Sequence, residues 1–188
     1  MRITGGRLLG RQIRCPAGTI RPAMDKMRES VFAIIQEGLP GAAFLDLFSG
    51  SGLIGLEAWS RGAASVVLVE KDAGKRQVLL ANAALAEGCA QVRIMPAERY
   101  LKFAAGGPFD FIFLDPPFPY RFKAQLLGMV GESRLLAEGG MAIMHHPKED
   151  ALPKETPALA QTDLRAYGRS LVSFYKRRQA PDCNHGPH

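Results

Sequence analysis

Asp115-Pro116-Pro117-Phe118 is the segment whose residue types bear most directly on chemistry. A carboxylate accepts hydrogen bonds and donates none. Beside a backbone carbonyl it offers two acceptors to a substrate NH2 group. The exocyclic nitrogen of a nucleobase is a poor nucleophile, because its lone pair is delocalised into the ring. If Asp115 and the Pro116 carbonyl take its two N–H bonds, the nitrogen is drawn towards a pyramidal form with its lone pair free to attack. The two prolines fix φ and stiffen the turn, and Phe118 offers a ring for an extruded base to stack on. One well-placed contact of this kind is worth about 3 kcal/mol in the transition state, and positioning contributes at least as much.

Such a nucleophile needs an electrophile, and a second segment is suited to hold one. Gly50–Gly55 reads G-x-G-x-x-G, in which glycines let the backbone approach a ligand as the chain turns into a helix. Glu70 follows twenty residues after Gly50 and is placed to accept both hydroxyl protons of a ribose. These features fit NAD as well as S-adenosylmethionine. Asp46 separates the two. Its charge would repel a pyrophosphate and attract the ammonium of a methionine moiety, by a few kcal/mol at an effective dielectric of ~20. Asp115–Phe118 also has no role in hydride transfer. The candidate cofactor-binding residues are therefore Asp46, Phe48, Ser49, Gly50, Ser51, Gly52, Glu70, Lys71, Ala97 and Glu98, and the candidate catalytic residues are Asp115, Pro116, Pro117 and Phe118.

The elements that must position these groups alternate. Apolar runs predict strands over Ala43–Phe48, Ser65–Glu70, Gln91–Met95, Phe109–Leu114 and Met141–His145. Helical patterns predict Leu53–Arg61, Asp72–Glu87, Ala97–Phe103 and Phe122–Val130 between them, and one more from Asp25 to about Leu39. Alternating apolar strands and helices imply a parallel sheet covered on both faces. Ligands then bind beyond the carboxyl ends of the strands, which is where both segments fall. Residues 147–161 read as a loop. Thr162–Tyr167 and Ser170–Lys176 read as two late strands joined at Gly168 with no helix between, which makes seven strands ending in an antiparallel hairpin. His145-His146, at the end of the fifth strand, reads as structural.

The chain has 188 residues, enough for one domain with a real core. Its net charge of +6 is uneven: residues 1–30 carry +5, residues 163–188 carry +3, and the body between carries −2. Positive ends on a slightly acidic body suit a polyanion, whose counterions are released on binding. The domain reading is a basic N-terminal extension over 1–24, a catalytic domain over 25–178 and a disordered tail over 179–188. No apolar run approaches the ~20 residues that cross a bilayer, and the first residues lack a secretory core segment. The three cysteines form no disulfide framework, and Cys183, His185 and His188 of the tail do not make a metal site. The expectation is a cytoplasmic, metal-free monomer.

Across nearly its whole length, from Met1 to about Lys176, the sequence resembles the bacterial 16S ribosomal RNA guanine-N2 methyltransferases. The resemblance is carried by Met1-Arg2-Ile3 with Gly5-Gly6, and by Arg21-Pro22 with Asp25, Arg28 and Glu29. It continues through Asp46–Gly55, Glu57-Ala58, Glu70, Asp115–Phe118, and Tyr167-Gly168 before Leu171–Tyr175. It implies an α/β, Rossmann-like class I fold dependent on S-adenosylmethionine. It also implies N2-methylguanine in 16S rRNA as product, within a small-subunit particle. Asp46, Gly50, Gly52, Glu70 and Ala97 would then line the cofactor site, and Arg7, Arg11, Arg14, Arg21, Lys26 and Arg28 would hold RNA phosphates.

The sequence departs from that family at three places. Ala23 replaces the usual Thr after Arg-Pro, Lys26 replaces a common Arg, and Pro96 stands where an Asp or Asn commonly holds the adenine amino group. Proline has no N–H and no polar side chain, so adenine falls to the backbone of Ala97 or to Glu98. Three other functions compete. A DNA adenine-N6 or protein-glutamine methyltransferase tends to carry Tyr in the place of Phe118, and the first needs a target-recognition domain. A non-catalytic RNA-binding assembly factor has no need of an intact Asp-Pro-Pro-Phe. A nicotinamide dehydrogenase is the remaining reading of the glycine turn.

Overall fold

The computed structural model describes residues 1–15, 23–104 and 106–178. Arg21 and the 179–188 tail, with its Cys183, His185 and His188, lie outside the described residues. Helix α1 (Ala23–Ile35) precedes a seven-stranded sheet. The strands are β1 (Ala43–Asp46), β2 (Ser65–Glu70), β3 (Ala90–Ile94), β4 (Phe109–Leu114), β5 (Leu136–Pro147), β6 (Leu159–Tyr167) and β7 (Ser170–Arg177). Between them run α2 (Leu53–Ser60), α3 (Arg76–Ala83), α4 (Ala97–Phe103) and α5 (Lys123–Glu132).

Strand order is β3-β2-β1-β4-β5-β7-β6. The first five strands pair in parallel, and β7 pairs antiparallel with both β5 and β6. The order reverses between β1 and β4, so a crevice opens beyond their carboxyl ends. Alternation along each strand divides the core in two. Phe111, Phe113 and Ile143 face a layer that holds Val31, Phe32, Leu56 and Leu79 of α1, α2 and α3. Ile112, Leu114, Ala142 and Met144 face Tyr100, Leu101, Leu126 and Val130 of α4 and α5. Burial on both faces is why these strands are continuous apolar runs.

Three extents differ from the sequence reading. Strand β5 starts at Leu136, not Met141. The strand includes Gly139 (φ +70°) and Gly140 and meets β4 across a register shift between Phe109 and Phe111. Strand β6 starts at Leu159 within the expected 147–161 loop, with its own register shift between Gln161 and Asp163. The expected Asp72–Glu87 helix is a 3-10 turn (Ala73–Lys75), then α3, then a second 3-10 turn (Ala84–Ala86).

The N-terminal stretch packs against the body. Ile3 and Ile13 are buried in the core layer of α1 to α3, and Arg2 bridges Gln12 across a small hairpin. Its polar backbone is met by buried side chains. The Thr4 N–H donates to Glu57 Oε2 at 2.9 Å, the Leu8 N–H to Ser60 Oγ at 2.8 Å, and the Arg14 N–H to Asn82 Oδ1 at 3.0 Å. Gly6 holds φ +74°, and a Cβ there would lie 1.8 Å from the Ser60 carbonyl oxygen. Only glycine passes this close to α2.

Candidate active site

The carboxyl ends of β1, β2, β4 and β5 open into a cavity of about 1320 Å³, which continues past α1 to the β6–β7 turn. Leu47, Phe48 and Gly50 come from the turn after β1, and Glu70 and Lys71 from the end of β2. Pro96, Ala97 and Glu98 come from the start of α4. The Asp115–Phe118 segment and Tyr120 follow β4. Strand β5 contributes His145, and the β6–β7 turn contributes Tyr167, Gly168 and Arg169. The two segments singled out in the sequence therefore face one space.

The glycine turn is held from beneath. Gly50 (φ +55°) and Gly52 (φ +81°) have left-handed backbones that other residues adopt at a cost. A Cβ on Gly55 would stand 2.3 Å from Leu68 Cδ2, so its absence lets α2 lie close on β2. The Ser49 hydroxyl donates to the Asp46 carbonyl at 2.9 Å, and Asn82 Nδ2 donates to the Ser51 carbonyl at 2.8 Å. Ser49, Ser51 and Gly52 are turned inward and do not border the cavity. The Ser49 hydroxyl and the Ser51 carbonyl are engaged in holding the loop.

Three carboxylates converge here. Glu70 accepts the Gly50 N–H at 2.9 Å on Oε2 and the Asp72 N–H at 2.9 Å on Oε1, with Lys75 Nζ at 3.5 Å. Asp46 is 1% exposed beneath Leu47 and Phe48. Its Oδ1 accepts the Phe48 N–H at 3.4 Å, and its Oδ2 is buried with no hydrogen-bond partner among the described residues. Burial first, then the charge of Asp115, pushes the Asp46 carboxyl up to about 7; the Glu70 charge adds to this, and backbone N–H groups of Phe48 and Gly55 oppose it. A buried acceptor left without a donor is costly. A ligand ammonium is the kind of donor that would satisfy it.

Asp115, third of the three, leaves β4 with its side chain 22% exposed and its Oδ1 at 2.8 Å from His145 Nδ1. Pro116 is buried and Pro117 exposed. The Phe118 ring meets the His145 ring edge-on, with centroids 5.5 Å apart. Lys123, 3% exposed at the head of α5, closes the segment. Its ammonium donates to the carbonyls of Phe118 and Tyr120 at 2.7 Å each and pairs with Asp150 at 2.7 Å. Tyr120 donates its hydroxyl to Glu98 and packs edge-on against Phe48 at 6.0 Å. Burial, then the bond to Glu98, pushes the Tyr120 phenol up. This aromatic corner beside Pro96 and Ala97 is where a flat ring would lie.

Over residues 1–176 the chain matches the family described as conserved hypothetical protein 95. The chain belongs to this family. It is 38% identical, over 95% of its length and all of the relative's, to YlbH of Bacillus subtilis, a candidate rRNA methyltransferase. It is 34% identical to ribosomal RNA small subunit methyltransferase D of Escherichia coli K12, covering 94% of this chain and 90% of the relative. Among solved structures it is similar to yhhF of E. coli, a candidate methyltransferase. The TM-score is 0.84 and the identity 30%, over 96% of this chain and 99% of the other. The fold is that of the class I S-adenosylmethionine-dependent methyltransferases, with the antiparallel β5-β7-β6 end that the sequence predicts.

Within the family fold, Phe48, Gly50, Glu70, Lys71, Ala97, Glu98 and the whole of Asp115–Phe118 border the cavity. Asp46 sits beneath it. Of the basic residues, Arg7, Arg11, Arg14 and Lys26 are exposed. Arg28 is not a phosphate ligand. It is 1% exposed, pairs with buried Glu57 at 3.2 Å and with Asp25 at 3.0 Å, and donates to the Arg2 carbonyl at 2.8 Å. Its charge is spent on the buried carboxylate of α2, a partner 29 residues away that one-dimensional charge counting does not reveal. The sequence reading left out Tyr120, Lys123 and Arg169, and it took His145 for a purely structural residue. The rule that exposed Asp115, namely to question each residue at the carboxyl end of a parallel strand, points to His145 equally.

Proposed function

We propose that this protein transfers a methyl group from S-adenosylmethionine to the exocyclic N2 of a guanine in 16S ribosomal RNA. The carrying observation is one cavity bordered by the glycine turn, Glu70 and Asp115–Phe118. The names of the curated relatives, which are rRNA methyltransferases, support RNA as the acceptor. When bound, the cofactor supplies a methyl group on a sulfonium, an electrophile that needs no metal.

The residues divide the work. Asp46, with its unpartnered Oδ2, receives the ligand ammonium. Glu70, fixed by two backbone N–H groups, keeps lone pairs for the ribose hydroxyls. Glu98, carrying Tyr120 on one oxygen, takes over the adenine contact that Pro96 does not make. Asp115 and the Pro116 carbonyl take the two N–H bonds of the guanine amine, and Phe118 supports the ring. Exposed Arg7, Arg11, Arg14 and Lys26 hold RNA phosphates, with Arg21 as a further candidate. The acceptor is a small-subunit particle, and the protein works as a monomer in the cytoplasm. Among the described residues no helix is long and apolar enough to cross a membrane.

The test is tritium transfer from labelled cofactor into small subunits, naked 16S rRNA, DNA and protein, followed by nucleoside mass analysis. N2-methylguanosine from rRNA or subunits is expected. Label in adenine of DNA, or in glutamine of protein, refutes the reading.

A further inference from the structure

Methylating an amine asks two things of Asp115. One oxygen must be held where the substrate N–H points, and it must remain an acceptor. A carboxylate turns readily about its last torsion, so the rigid Asp-Pro-Pro backbone does not secure this alone.

His145 is built to do so. The last β4–β5 pair is Leu114↔Met144, so Asp115 and His145 are the next residues on adjacent strands. His145 Nδ1 lies 2.8 Å from Asp115 Oδ1. An ionised carboxylate has no proton to give, so the nitrogen is the donor. The imidazole is 7% exposed and is flanked by the Phe118 ring at 5.5 Å. Its neighbour His146 points to the opposite face, with Nε2 at 2.9 Å from Ser173 Oγ, and takes no part.

Resting on the function proposed above, we infer that His145 is a positioning residue whose Nδ1–H fixes Asp115 Oδ1 and leaves Oδ2 to accept from the substrate amine. In the transfer, the amine lone pair forms the new N–C bond and the C–S bonding pair returns to sulfur. One amine proton passes to Asp115 Oδ2 and on to water. His145 neither gains nor loses a proton; it holds the acceptor still.

Two variants and one spectrum test this. H145F keeps a ring and removes the donor; H145N places an amide N–H close to the position of Nδ1. On the acceptor that the wild type methylates, H145F should lower kcat about 10²-fold. KM and the Kd for S-adenosylhomocysteine should stay within about threefold, as for a contact that matters in the transition state. H145N should recover at least about tenfold of the loss. Independently of any substrate, the wild type should show a downfield Nδ1–H resonance that D115A abolishes. A kcat for H145F within about threefold of wild type overturns the assignment. So does H145N no better than H145F, or a resonance unchanged in D115A. If H145F does not fold, H145N and the resonance decide: H145N as damaging as D115A overturns it. A wild type that methylates nothing sinks the proposed function, while the resonance and its loss in D115A still report on the pair.

Discussion

In the role proposed for it, Asp46 should make cofactor binding pH-dependent in a calculable way. Its carboxyl is raised from 3.8 to about 7, by burial first and by Asp115 second. A shift of about three units corresponds to about 4 kcal/mol, an order of magnitude for what ionised Asp46 costs the folded protein. The sign follows from proton binding. Between pH 4 and 7 the folded state holds a proton that the unfolded state has released. Stability of the ligand-free protein therefore falls as pH rises through this window, and the penalty is complete above about 7. A ligand ammonium against Oδ2 favours the ionised form and reverses the preference. Binding should then expel a proton from Asp46 at neutral and lower pH.

The assay is calorimetric titration with S-adenosylhomocysteine in buffers of different ionisation enthalpy. Below the Asp46 midpoint the Kd should weaken tenfold per pH unit, or roughly 25-fold from pH 7.5 to 5.5. Buffer dependence should report close to one proton released at the acid end. D46N should bind more weakly at pH 7.5 and lose the slope, and without ligand it should be no less stable than wild type there. A Kd flat across that range, or a slope that survives in D46N, would refute the role given to Asp46.

Three further outcomes are expected. D115A should keep its affinity for S-adenosylhomocysteine while kcat falls about 10²- to 10³-fold, read by tritium transfer. E57Q should leave Arg28, 1% exposed, without its buried anion, costing about 3–5 kcal/mol in urea unfolding. Replacing Arg7, Arg11, Arg14 and Lys26 together by Gln should weaken RNA binding and flatten the log Kd against log salt slope by roughly 3. Cofactor affinity should be unchanged in that variant.

What was legible in the sequence follows from physics that acts over short range. A strand buried on both faces must be apolar throughout, so β1, β2 and β4 stand out, while the edge strand β3 shows as alternation with Gln91 and Arg93 exposed; the residues that follow these strands mark the cavity. The start of β5 was not legible, because the strand begins at Leu136, before Gly139-Gly140, and pairs with β4 across a register shift. Arg28 misled because its fate is set by Glu57 on another helix. Ser49, Ser51 and Gly52 lie in the glycine turn but are buried and do not border the cavity, which their residue types do not reveal. The Asp115–His145 bond depends on the β4–β5 register, which no local pattern encodes.

The basic N-terminal stretch gains its meaning from the side chains that receive it. Asn82 accepts the Arg14 N–H at 3.0 Å and donates to the Arg14 carbonyl at 2.8 Å. With its second amide hydrogen it donates to the Ser51 carbonyl of the glycine turn, also at 2.8 Å. Glu57 and Ser60, on the helix that leaves that turn, hold Thr4, Gly5 and Leu8. Each buried polar group of α2 and α3 is thus matched to the extension, and removing the extension would strand them at a cost per group of about 1–3 kcal/mol. The same anchoring fixes Arg7 and Arg14 to the helices that carry the glycine turn. The exposed charges of Arg7 and Arg14 are thereby held in a fixed relation to the cavity, as the proposed grip on RNA phosphates requires.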